Sequence, residues 1–326
     1  MPQGYLRYVV DKLWSYRERR FAGRPDFFDS NVREGNRPPV FRREHGDLNL
    51  LYPPKGSSQL VELIRNAIPV SKRQRHFCSM KSSQALAQSV LGYLVHSGKL
   101  DLLNGLMTED GETAFFSSAP LPNETCLEKD VTWLGEPSST NVDLFCSGKT
   151  RVAVECKFTE ADIGKCSRPN LIEGKNENFK RDYCDGTYTA QRNRKTRCSL
   201  TAVGVEYWRY IPQILKWSNG NDLAPCPLRS TFQLVRNVLA ATVEQNGELT
   251  IKSAHALLIY DARNPAFQNG GYAWGQVRSA LRDPSLLRRC TWQRLLQSLS
   301  KEPSVHWLTK AVQEKYGLES DHILDS

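Results

Sequence analysis

Apolar and polar positions along this chain fall into a few clear periodicities, and the sharpest runs from Asn141 to Glu160, NVDLFCSGKTRVAVECKFTE. Val142, Leu144 and Cys146 lie on one side of a first run, with Val152, Val154, Cys156 and Phe158 on the same side of a second, the period of a β-strand. The opposite side carries Asn141, Asp143 and Phe145, then Arg151, Ala153, Glu155 and Lys157. A three-residue loop at Gly148, Lys149 and Thr150 pairs Ser147 with Arg151 and sets Asp143 across from Glu155, with Cβ atoms roughly 4.5 to 5.5 Å apart. A slip of one residue throws Asp143 to the other face, so the register is a sharp expectation.

Other stretches are read around this hairpin. Ser58 looks like the cap of a helix from Gln59 to Ile68, stopped by Pro69. Ser82 or Ser83 opens a helix reaching Leu103, with Ala85, Leu86, Val90, Leu91, Leu94 and Val95 at helical spacing. Gln84, in its first turn, is read as solvated. Cys126 to Leu134 is the strand leading into the hairpin; Glu128, Asp130 and Glu136 are spare carboxylates read as surface groups. Leu228 to Gln245 is an amphipathic helix ended by Gly247, and the apolar run from His255 to Tyr260 is a buried strand beside the hairpin. Asp261 and Arg263 read as a turn or ion pair, Trp274 to Tyr316 as helical, and His306 as structural. Thr159 to Pro227 lacks strong periodicity; because a bare loop of that length does not suit a compact domain, helices are expected near Thr187 to Arg197 and Val205 to Trp217, the latter interrupted at Pro212.

The hairpin also carries candidate chemistry. Two facing carboxylates repel unless a cation lies between them, and their hard oxygens suit Mg²⁺ or Mn²⁺. Lys157 points the same way and can orient water or stabilise a developing phosphoryl charge. The competing reading is a surface hairpin with a solvated Glu-Lys pair. The apolar context Val-Ala-Val-Glu-Cys-Lys-Phe favours a central strand whose polar atoms have a purpose. Ser147-Gly148-Lys149-Thr150 mimics the tail of a P-loop but leads into a strand and lacks the required upstream glycine, so it is a turn.

The D-x₁₁-E-x-K arrangement resembles the active site of the PD-(D/E)XK nuclease superfamily, and VDLFCSGKTRVAVECKFTEADIGKCSRP resembles a group of prokaryotic restriction endonucleases, over about Ser82 to Ala280. The resemblance implies an α/β, restriction-endonuclease-like fold: a central mixed sheet flanked by helices, with additional helices. It implies Asp143 and Glu155 as metal ligands, the Cys156 carbonyl as a further ligand, and Lys157 as the motif lysine. Val142 stands where the proline that names the motif would be, and the preceding helix offers only Gln84 and Gln88 where many members supply a glutamate. Gln191 resembles the downstream glutamine that some members place against the site. The expected activity is Mg²⁺-dependent hydrolysis of DNA by a restriction or defence endonuclease, with residues 58–326 as nuclease domain, 1–57 as basic extension and 160–226 as basic insertion. A repair or recombination nuclease, or a non-catalytic nucleic-acid-binding module, are the alternatives.

Composition sharpens the partner. A formal net charge of +9 suits a polyanion, and double-stranded DNA is the expected one; a homodimer stays open. The segment after the hairpin is dense in Lys165, Arg168, Lys175, Lys180, Arg181, Arg192, Arg194, Lys195 and Arg197, interleaved with Tyr183, Tyr188, Tyr207, Trp208, Tyr210 and Trp217, and is the expected DNA-contacting surface. The first fifty-odd residues read as a short helix and an arginine-rich arm that could follow a phosphate backbone or pack on the core. No apolar run approaches the roughly 18 to 20 residues that span a bilayer, and no signal core opens the chain, so the cytoplasm is the default. Nine cysteines without an export signal read as reduced thiols, Cys146 and Cys156 in the core. Cys166, Cys184 and Cys198 could hold zinc or an iron-sulfur cluster, as in some superfamily members, but their spacing matches no established pattern and neither is expected.

Overall fold

The hairpin forms the middle of a five-stranded mixed sheet of order β1-β2-β3-β4-β5. The strands are β1 (Glu124–Val131), β2 (Thr140–Ser147), β3 (Arg151–Cys156), β4 (Ala254–Tyr260) and β5 (Leu287–Thr291). The first three are antiparallel neighbours, whereas β4 lies parallel to β3 and β5 parallel to β4. This computed structural model describes residues 3–35, 37–117, 121–137, 140–170, 173–175, 183–189 and 195–319.

Ten α-helices accompany the sheet among the described residues: α1 (Gln3–Arg20), α2 (Ser58–Asn66), α3 (Ser83–Ala87), α4 (Tyr93–His96), α5 (Ser199–Ala202), α6 (Tyr207–Ile214), α7 (Leu228–Thr242), α8 (Tyr272–Ala280), α9 (Trp292–Leu299) and α10 (His306–Tyr316). The fold is mixed α/β with the sheet covered on both faces. On one face Leu144, Cys146, Val152, Val154 and Cys156 pack with Leu13, Ile64, Leu86, Trp292 and Tyr316. On the other, Phe145, Ala153, Ala256 and Leu258 pack with Tyr207, Val235, Leu239 and Val277. Such double covering explains why β3 and β4 are buried at every position.

The register of the hairpin is the expected one. Leu144 pairs with Val154, Phe145 with Ala153 and Cys146 with Val152, around the turn at Gly148, Lys149 and Thr150. One step further sets Asp143 across from Glu155. Val142, expected beside Leu144 and Cys146, instead joins the opposite core layer with Phe145. The pleat is disturbed at Glu128 on the neighbouring strand, whose φ of 50° lies in the left-handed region.

Several boundaries shift for local reasons. Ser57, not Ser58, caps α2, its hydroxyl accepting from the Leu60 N–H at 3.1 Å. The helix opened by Ser82 runs through a π-helical stretch, Gln88–Gly92, and ends at His96 rather than Leu103, with Gly98 at φ 68°. α7 stops at Thr242, and Gly247 lies in the turn beyond. The region expected to be helical from Trp274 onward contains β5, where Leu287 and Cys290 face the core. Its Arg289 reaches Asp110 at 3.0 Å and Arg288 donates to the Thr113 carbonyl, so its charges have partners at the sheet margin.

The arginine-rich arm packs on the core: the Phe28 and Phe41 rings stack at 4.6 Å, and the Arg17 guanidinium covers Trp14 and Phe28. Four of the interleaved aromatics after the hairpin build core rather than a base-stacking platform. Tyr188 stacks on Trp208 at 4.1 Å, and Tyr207 and Tyr210 are buried with them. The helix expected near Thr187 to Arg197, and with it Gln191, lies mostly outside the described residues, as do Lys180, Arg181, Arg192 and Arg194. No helix among the described residues is long and apolar enough to cross a membrane.

Candidate active site

Three carboxylates line up across three neighbouring strands. Leu127 pairs with Leu144 and Lys129 with Val142, so Glu128 on β1 stands across from Asp143 on β2, which in turn stands across from Glu155 on β3. Asp143 is partly accessible; Glu128 and Glu155 are each 3% exposed. Asp143 Oδ2 accepts from the Cys156 N–H at 2.6 Å, tying β2 to the end of the strand that carries Glu155.

Lys157 closes the group. Its Nζ lies 2.9 Å from Glu155 Oε1 and donates to Gln233 Oε1 at 3.1 Å. Burial alone pulls its proton affinity down, but the carboxylates of Glu155, Glu160 and Asp143 overcome that and hold it above the ordinary lysine value. It is a cation. Its backbone is fixed as well: its N–H donates to the Ile259 carbonyl at 2.7 Å, and its carbonyl accepts from Trp292 Nε1 at 3.1 Å.

α7 supplies the other wall. Gln233 Nε2 donates to Glu155 Oε1 at 2.8 Å and Asn237 Nδ2 to Glu155 Oε2 at 2.9 Å. Arg236 lies 3.7 Å from the same oxygen and bonds the Asn141 carbonyl at 2.8 Å. Gln233 and Asn237 are four residues apart and so share one helix face. Sequence reasoning missed them. The available signal was a pair of amides at that spacing beside an arginine, in a helix otherwise rich in valine and leucine.

Gln84 and Glu128 were expected at the surface, and the structure places neither there. Gln84 is 1% exposed; its Nε2 donates to Glu128 Oε1 at 2.7 Å and its Oε1 accepts from the Gln74 N–H at 2.8 Å. Burial raises the Glu128 carboxyl above its usual value, partly offset by the Gln84 and Asn141 hydrogen bonds. Asp143 is pushed well above the carboxylate range by burial and then by the charges of Glu155 and Glu128. Asp130 pairs with Lys72 at 2.7 Å, and Glu136 accepts from the Tyr207 hydroxyl.

Behind the site, Tyr5 of α1 donates to the Phe158 carbonyl and to Asp261 Oδ2, both at 2.9 Å, and Asn264 Nδ2 reaches the Phe158 carbonyl at 2.8 Å. Asp261 pairs with Arg263 at 2.8 Å, as expected of a structural ion pair. His306 is exposed and bonded to the Ser300 carbonyl. Among the described residues no three Asp, Glu, His or Cys side chains are already drawn together as a closed metal cage. The carboxylates are held instead by Lys157 and by amides.

A five-stranded mixed sheet with helices on both faces and an acidic hairpin at its centre is the restriction-endonuclease-like architecture. The chain belongs to the family described as restriction endonuclease associating with ARP, whose model matches residues 24–317. That match is wider than the stretch from Ser82 to Ala280 on which the resemblance rests. No curated protein and no solved structure matches the chain.

Proposed function

We propose that the protein is a Mg²⁺-dependent endonuclease that hydrolyses phosphodiester bonds of double-stranded DNA in restriction or defence. The observation that carries the reading is the facing pair Asp143 and Glu155 with the protonated Lys157 amine 2.9 Å from Glu155, on a central strand of a restriction-endonuclease family member. Residues 58–326 are taken as the nuclease domain, braced by the preceding extension.

The donor set fits a hard divalent cation. Glu128 and Glu155 are nearly buried beside a partly accessible Asp143, whose carboxyl is raised by burial and then by its neighbours' charge, so the site favours added positive charge. Mg²⁺ and Mn²⁺ retain several waters and need few protein oxygens, which Asp143, Glu155 and the Cys156 carbonyl would supply. When bound, such an ion supplies Lewis acidity and lowers the proton affinity of its water.

The chain's own groups do the rest. Lys157 places a fixed positive charge where a phosphoryl oxygen gains negative charge, and its ammonium can orient a water. Gln233 bridges Lys157 and Glu155, setting their separation, while Asn237 holds the second Glu155 oxygen and limits rotation of the carboxylate. Glu128, anchored by Gln84, is the third acidic group that the helix before the sheet does not provide.

Cleavage of plasmid and unmethylated phage DNA in Mg²⁺, with wild type beside Glu155→Ala, tests the reading. Discrete fragments from the wild type alone support it. Identical results from the two proteins, together with salt-dependent DNA binding by both, would establish a binding module instead.

A further inference from the structure

Four cysteines of the insertion that follows the catalytic hairpin lie within electrostatic range of one another. Cys166, Cys184, Cys198 and Cys226 come from four separate segments, and each is 8 or 9% exposed. Backbone bonds knit these segments together. The Cys226 N–H donates to the Gly186 carbonyl at 2.8 Å, the Cys166 N–H to the Arg229 carbonyl at 3.2 Å, and Tyr188 and Leu223 exchange N–H to carbonyl bonds at 2.7 and 3.2 Å. Arg197, next to Cys198, reaches the Asn221 carbonyl at 3.0 Å and Asp222 at 2.9 Å, drawing that segment toward the one that ends at Cys226.

Three of the four sulfurs share a local setting. Cys184 Sγ accepts from the N–H two residues on, Gly186, at 3.3 Å. The backbone N–H groups of Arg168 and Leu228 lie beside Cys166 and Cys226 at the same two-residue spacing. A backbone N–H two residues ahead stabilises a sulfur that carries negative charge, a service a neutral core thiol does not need. The four thiols are also electrostatic neighbours, Cys226 of Cys198, Cys184 and Cys166, and Cys166 of Cys198 and Cys184. Gly186, at φ 86°, admits the Arg229 side chain where a Cβ would meet it at 3.3 Å. Arg168, Arg197 and Arg229 thus lie beside the cysteine segments.

We infer that Cys166, Cys184, Cys198 and Cys226 bind one structural Zn²⁺ as four thiolates, independently of the catalytic metal. Soft sulfur ligands in a tetrahedral set select zinc over Mg²⁺. Binding releases four thiol protons and leaves a dianionic centre, which the neighbouring arginines and the backbone N–H groups offset. Among the described residues no three of these side chains are grouped closely enough to hold a metal, so zinc would have to draw the thiols together on binding. Zinc here would fasten the insertion to the start of α7, the helix that carries Gln233 and Asn237. The role is positional and does not depend on the activity proposed above.

Metal content of the full chain, purified without chelator, tests the inference. About one zinc per chain is expected, retained in Glu155→Ala and in Cys78→Ser and Cys126→Ser, and lost in Cys198→Ser and Cys226→Ser. Should the last two variants fail to fold, cobalt-substituted wild type decides: the visible bands and sulfur-to-metal charge transfer of a tetrathiolate centre support the site. Absence of zinc, iron with sulfide in its place, or a disulfide among the four overturns it.

Discussion

Asp143→Asn is the substitution in which stability and function should move in opposite directions. Asp143 faces Glu155 on one side and Glu128 on the other, and burial plus these charges raise its carboxyl well above the usual range. A carboxyl raised on folding costs stability wherever it is ionised, and the cost fades as pH falls through its folded value. Asparagine keeps an oxygen for the Cys156 N–H and removes the charge. Two like charges about 5 Å apart repel by about 3 kcal/mol at an effective dielectric of about 20. Two such repulsions are relieved and one attraction to Lys157 is lost, which leaves a net gain of about 1–3 kcal/mol after solvent screening. In a chain of this size that raises the melting temperature by roughly a few degrees. The assay is thermal unfolding at neutral pH with chelator, repeated with Mg²⁺. The variant should melt higher than wild type in chelator, gain less from Mg²⁺, and not cleave DNA. A folded Asp143→Asn protein that melts at or below wild type in chelator would refute the electrostatic account of the site.

Further expectations follow from other buried polar groups. Gln233→Leu removes the bridge between Lys157 and Glu155 and should lower kcat about 10- to 100-fold with little change in DNA affinity; an unchanged kcat rules out the positioning role. His255, bonded to the Ala114 carbonyl, is lowered by burial from 6.5 to about 3, so the unfolded chain binds the extra proton between those values and stability is lost as pH falls through that window, by up to about 5 kcal/mol. Urea midpoints from pH 7 to 4 should fall more steeply for wild type than for His255→Gln; parallel curves contradict this. Lys315, buried against Asn49, is lowered to about 7 from 10.5, so its contribution to stability rises with pH between those values. Unfolding free energies at pH 7 and 9 should show wild type gaining on Lys315→Met, and a constant difference would argue for a charged native amine.

The hairpin was legible because two alternating runs and a three-residue turn leave one register that buries both apolar sides. Asp143, Glu155 and Lys157 followed from that register. Glu128 did not, because its inward turn depends on a left-handed backbone angle and on Gln84, far away in sequence, neither of which local periodicity records. Gln233 and Asn237 were hidden for a related reason: polar residues on an amphipathic helix are assigned to solvent unless the strand they face is known. β5 escaped because Arg288 and Arg289 break its apolar run, and their partners lie on the Asp110 and Thr113 segment. The aromatics between Tyr188 and Tyr210 showed the converse failure, since a basic neighbourhood suggested an exposed surface where stacking had built core.

The central strand owes one of its two neighbours to a part of the chain made much later. β3 pairs with β2 across a three-residue turn, but β4 comes about 100 residues afterwards, and Ile259 on β4 is what receives the Lys157 N–H. During synthesis, therefore, an emerging chain can form the hairpin while the backbone beside its lysine has no partner, and Gln233, Asn237 and Trp292 have yet to leave the ribosome in turn. If the proposed function holds, a fragment that stops before β4 lacks the partners that fix Lys157 and Glu155. The proposed site is complete only once the segment that carries Trp292 has emerged.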